Sequence, residues 1–176
     1  VRFVEPDARR PFVYFDGILQ ARRERCDAVR RGELPTRAGT MEKFLPRLCV
    51  VGNRRTGPER LGNWLAIRAK EALKARVEHH AEYFGVEPLD VTVRDQRSRW
   101  GSCASSGLLS FSWRLILAPP FVLDYVAAHE VAHLREMNHG ARFWRLVDRA
   151  VPRLEAARQW LHDHGAELHR YGPSPG

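Results

Sequence analysis

Eleven residues, HEVAHLREMNH at 129–139, constrain this 176-residue chain more than any other stretch. On a helix, His129 and His133 stand one turn apart on the same face, so both imidazoles can reach one ion. Neutral imidazole suits zinc, and a catalytic zinc takes three protein ligands and keeps its fourth position open. Glu130, next in sequence, would stand beside a water on that ion and accept its proton. The motif therefore demands a helix and a fold that carries a third ligand to it.

Glu136 lies on the same helical stripe, but its Cα would be about 7 Å along the axis from an ion held between the two histidines. Its side chain also leans back toward its own N-terminal turn. His139 is better placed, just past the last turn, where Asn138 and Gly140 let the chain bend back beneath the ion. Glu155, on a later helix, is the rival third ligand.

The surrounding pattern reads as α+β. Leu61, Leu65, Ala69, Leu73, Val77, Ala81 and Phe84 recur at helical spacing and Gly85 ends the run, which predicts one long amphipathic helix. His79 and His80, near its end, read as cations facing the last carbonyls. PLDVTVRD, RSRWGSC and LLSFSWRLILA are strand candidates, the last two joined by the turn Ala104-Ser105-Ser106-Gly107. A helix is expected from about Phe121 to Met137, a short one over Arg142–Val151, and a last one from Pro152 to His164 with Gly165 as its stop. Strands followed by segregated helices make an α+β rather than a βαβ order.

Residues 1–60 are a basic N-terminal region. Of the net charge of +8, a surplus of six lies here, and 26 of the 29 basic residues of the chain are arginine. FVYF-DG-ILQA (12–21) reads as a hairpin around Asp16-Gly17, and residues 20–40 read as an irregular Arg-rich arm. A basic arm on a nearly neutral body (61–176, the expected catalytic domain) can weakly bind nucleic acid or another anionic partner. Three cysteines with no C-x-x-C pair argue against a disulfide framework or a cysteine-rich zinc ribbon. Ser102 and Cys103 have no adjacent base and read as non-nucleophilic. Trp100, Trp113, Phe143 and Trp144 read first as core residues. No apolar run is long enough for a membrane span, and the N-terminus lacks a secretory layout, so the cytoplasm is the expected compartment.

From about residue 90 onward the chain resembles the YgjP-like zinc metallopeptidases, relatives of the SprT-like and WLM zincins. The resemblance is carried by RSRWGSC (97–103), LSFSWRLILAP (109–119), YVAAHEVAHLREMNHGARFW (125–144) and, more weakly, WLHDHGAELHRY (160–171). It implies a compact zincin-like fold, with a small sheet over the HExxH helix, a long backing helix over about 60–84 and C-terminal helices. It also implies one Zn2+ per chain on His129, His133 and His139, with Glu130 as general base and acid. Family strands would be expected in the N-terminal third, where residues 20–40 do not read as strands.

The expected function is hydrolysis of a polypeptide by a zinc-bound water that Glu130 activates. Trp100, Ser102, Ser112 and Arg114 are the expected substrate contacts, and Arg114, His162, His164 and His169 are candidates for oxyanion stabilisation. Two other readings fit the motif. One is a zinc hydrolase of a non-peptide substrate such as a nucleoside triphosphate, acting as a pyrophosphatase. The other is a zinc-bearing, nucleic-acid-associated binding module.

Overall fold

A computed structural model describes residues 2–4, 13–16, 47–51 and 55–172. The chain divides into two units, Val1–Gly62 and Asn63–Gly176. In the first, β1 (Arg2–Val4) pairs parallel with β3 (Arg47–Val51), and β2 (Val13–Asp16) pairs antiparallel with the other side of β3. The first half of the expected hairpin is thus a strand, and it pairs with the distant segment RLCVV, for which no strand is expected above. The second half of that hairpin and the Arg-rich segment 20–40 lie outside the described residues.

The predicted long helix is α1 (Gly57–Phe84), and Gly85 ends it at φ 65°. Ala69, Leu73, Val77, Ala81 and Phe84 are all buried, so the i, i+4 pattern marks the core face as expected. His80 departs from the expectation. It is 1% exposed and its Nε2 lies 2.7 Å from Oδ1 of Asp124, the oxygen that Arg76 Nη2 also meets at 2.6 Å. A side chain on the buried face of α1 cannot reach solvent at the helix end, so it takes the partner opposite.

β4 (Asp90–Arg94) runs parallel to β6 (Leu108–Ser112), which pairs antiparallel with β5 (Gly101–Cys103). β6 is central, with Leu109, Ser110, Phe111 and Ser112 buried, and β5 is an edge. Gly107, at φ 87°, closes the turn between β5 and β6, where its N–H donates to the Ala104 carbonyl at 2.9 Å. Two of the strand expectations contract. Residues 97–100 do not join β5, and WRLIL coils into a 3-10 helix (Trp113–Leu117) instead of extending β6. A short apolar run is ambiguous between the two forms; here Ser112 decides it by capping, its Oγ accepting from the Arg114 N–H at 3.4 Å.

Three helices follow: α2 (Pro120–Ala132), α3 (Ala141–Ala150) and α4 (Leu154–Leu168). Pro120 opens α2, where its missing N–H costs nothing. Val122, Leu123, Tyr125, Val126, Ala127, Ala128, Val131 and Ala132 are buried around α2, which is therefore a core helix rather than an amphipathic one. It ends before Met137: Leu134 and Arg135 donate three residues back, to Val131 and Ala132, and the last turn tightens. α4 runs through Gly165 instead of stopping there. A methyl group at Gly165 would lie 3.1 Å from Cζ2 of Trp100, so the glycine is the hollow that receives the Trp100 ring. Among the described residues no helix is long and apolar enough to cross a membrane.

Candidate metal centre

The helical part of the motif sets His129 and His133 one turn apart, and the chain beyond α2 returns His139 to them. The Nε2 atoms of His139 and His129 face each other at 2.9 Å. One nitrogen from each of His129, His133 and His139 lies within 4.8 Å of the others. Ligands about 2.0–2.1 Å from a tetrahedral zinc stand roughly 3.3 Å apart, inside that range, so the three residues fit such an ion. His133 Nδ1 donates to the Glu136 carbonyl at 3.2 Å, which leaves Nε2 with its lone pair free to bind. Burial first, then the neighbouring His133 and His139, push His129 down to about 3, so its imidazole is neutral at neutral pH. Burial also lowers His133, against the opposing effect of the Glu136 carbonyl.

Phe143, from the first turn of α3, is fully buried and touches all three imidazoles, with ring centroids 4.8, 4.5 and 4.7 Å from His129, His133 and His139. The core reading of Phe143 holds, and its place in the core is the floor of the cluster. Glu136 contributes its carbonyl, not its carboxylate. Glu155 is 80% exposed and paired with Arg158 at 3.1 Å, and among the described residues no carboxylate joins the three-histidine group.

Glu130 is seated by the sheet. It is 6% exposed, and a methyl group at Gly101 would fall 2.6 Å from both its Cγ and its Oε1. Only a residue without Cβ lets β5 pass so close to this carboxyl. Burial pushes Glu130 up to about 7, against the opposing pull of the Arg99 guanidinium. A carboxyl in that range exchanges a proton readily at neutral pH. Arg99, within the RSRWGSC segment, acts on Glu130 across the fold, an effect that no local spacing in the sequence signals.

The expected substrate contacts separate into two pairs. Trp100 and Ser102 are partly exposed at the edge of the sheet, and Trp100 stacks on His169 with centroids 4.5 Å apart. Ser112 and Arg114 are both 0% exposed and carry bonds within the protein, away from the exposed edge where Trp100 and Ser102 lie. Ser112 Oγ donates to the Gln96 carbonyl at 3.3 Å, while Arg114 pairs with Asp95 and donates from Nε to the Tyr171 carbonyl at 2.8 Å. A buried guanidinium needs such partners; here it ties the chain after β4 to the chain after α4. His162 and His164 lie on the exposed part of α4 and in no metal group among the described residues. Burial pushes the Cys103 thiol up, and the Glu130 charge adds to it, as a non-nucleophilic thiol requires.

No curated protein matches the chain. A solved structure, the metallopeptidase zymogen of Pyrococcus abyssi abylysin, aligns at 19% identity and a TM-score of 0.47, over 52% of this chain and 93% of that one. Residues 37–164 match the YgjP-like family, described as a metallopeptidase domain. The match takes in the β3 strand, the sheet, the HExxH helix and the returning histidine, and it begins well before residue 90. The chain belongs to the YgjP-like metallopeptidase family.

Proposed function

We propose that this chain is a zinc-dependent peptidase in which Glu130 moves the proton that hydrolysis requires. The observation that carries the proposal is the buried Glu130 carboxyl, held on the Gly101 backbone and one residue from a convergent histidine cluster. Zinc, held by His129, His133 and His139, would polarise a scissile carbonyl and acidify a nearby water. Glu130 takes the water's proton and passes it to the leaving amine, a transfer that a carboxyl near pKa 7 performs in both directions. The outer edge of β5, which no described strand pairs, would hold an extended polypeptide by strand addition, with Ser102 and the Trp100 ring beside it. The Arg-rich segment 20–40 would recruit an anionic partner and take no part in the chemistry.

The test is a parallel assay of zinc-loaded protein on denatured protein and on nucleoside triphosphates. Glu130→Gln should keep the metal and lose at least about a hundredfold in proteolysis, because an amide cannot accept the proton. Triphosphate hydrolysis that depends on Glu130, without proteolysis, would transfer the function to phosphoanhydrides. Near-normal turnover by Glu130→Gln would end the mechanism.

A further inference from the structure

On α3, Arg142, Arg145 and Arg149 recur at three- and four-residue steps, so they leave the helix on one side. The row spans roughly 10 Å at 1.5 Å per residue. Phe143 and Val147, on another side of the helix, are buried. The three arginines, with Arg135, Glu136 and Leu146, line a cavity of about 320 Å³, within the size range of ligand sites. Arg135 is anchored there by donating from Nη1 to the Phe84 carbonyl at 2.8 Å. Among the described residues, Arg142, Arg145 and Arg149 form no ion pair with a carboxylate. Like charges at these spacings destabilise a helix, and an anionic ligand in the cavity would relieve that repulsion.

The cavity adjoins the histidine cluster through Glu136. Glu136 lines the cavity, and its carbonyl accepts from His133. Phe143, on the same helix as the arginines, packs against all three imidazoles. We propose that this arginine groove is an exosite for an acidic stretch of the polypeptide substrate, an inference that rests on the peptidase reading. A guanidinium matches a carboxylate with two parallel hydrogen bonds. The lining has no aromatic ring on which a nucleic-acid base would stack. A helix with side chains is about 10–12 Å across, and an extended chain advances about 3.3 Å per residue. The acidic residues therefore belong about three to four positions from the scissile bond.

The test has a binding arm that needs no turnover. A fluorescein-labelled hexaglutamate peptide is titrated against the full chain at low salt, with and without zinc. Changing Arg142, Arg145 and Arg149 together to Gln should weaken binding at least tenfold, and changing them to Lys should weaken it less, since charge remains without the fork. Unchanged binding in the Gln variant overturns the site. So does a hexadeoxythymidylate that binds more tightly than the peptide and loses that affinity in the same variant, which would make the groove a nucleic-acid surface. In the second arm, two peptides share one cleavable sequence and differ only in an acidic run that begins about three to four residues from the bond. Wild type should show a kcat/KM ratio of about ten between them, and the Gln variant a ratio near one. A ratio near one in wild type overturns the substrate role. Cleavage of neither peptide, with the binding difference intact, would instead overturn the peptidase reading and leave the acidic-peptide site standing.

Discussion

The histidine cluster and the seat of Glu130 share a helix but are built in opposite ways. The cluster is local: its three imidazoles come from eleven consecutive residues, and even the carbonyl that orients His133 belongs to Glu136, three residues on. The seat is assembled from distant parts of the chain. Gly101 of β5 meets Glu130 of α2, Trp100 beside it enters a hollow at Gly165 of α4, and His169 stacks on the same ring. Local geometry is sufficient to gather three imidazoles that could hold one metal ion. Burying a carboxyl far enough to raise it to about 7 takes a sheet edge, which no run of neighbours along a helix supplies. The two regions should therefore be separable by mutation.

The largest separation is expected at the cluster itself. His139→Ala should lower zinc affinity well over tenfold in a competition titration, while Glu136→Ala, which keeps the main-chain carbonyl, should leave it within about twofold. Full zinc occupancy in the His139 variant would show that another side chain completes the set, and Glu155 would be the first to examine.

Gly101→Ala probes the other region. The added methyl cannot coexist with the Glu130 carboxyl as it stands, so the carboxyl must move. Turnover should fall about tenfold with zinc affinity unchanged, at a stability cost of about 1–3 kcal/mol for overpacking. A parallel loss of zinc binding would mean that seat and cluster are one unit. Gly165→Ala should act more weakly in the same direction, because the atom it meets belongs to the Trp100 side chain, at 3.1 Å.

The smallest effect concerns the bond that holds α2 against α1. Burial alone would raise the Asp124 carboxyl, but the hydrogen bonds from His80 and Arg76, together with their charge, hold it below its ordinary value. An acid held below its unfolded value contributes stability that is complete above the unfolded pKa, about 4, and is lost as pH falls through the folded one. Asp124→Asn should thus cost about 1–2 kcal/mol near neutral pH, and the gap to wild type should narrow below pH 4 in denaturant titrations of the zinc-free protein. A gap that widens in acid would contradict the pairing. It should affect both regions alike, since it moves the helix they share.

What could be read along the chain was whatever depends on neighbours. The i, i+4 stripe of α1, its Gly85 stop, the alternation at Val91 and Val93 and the spacing of His129, His133 and His139 are short-range periodicities, and each shows in the sequence without knowledge of the fold. Other residues take their place from contacts across the core. Arg114 and Ser112 read as contacts at a cleft because polar side chains near a motif invite that, yet both are buried and bonded to Asp95, Tyr171 and Gln96. His80 read as a helix-end cation and is Asp124's partner. Gly165 read as a stop signal and is a hollow for Trp100. The pairing of β2 with β3, more than thirty residues away, left no local trace either. The helical spacing of His129 and His133 belongs to the local kind, because residues four apart on a helix share a face, whereas His139 joins them through the chain beyond α2. The burial of Glu130 belongs to the other kind, since a carboxyl's proton affinity depends on everything packed around it.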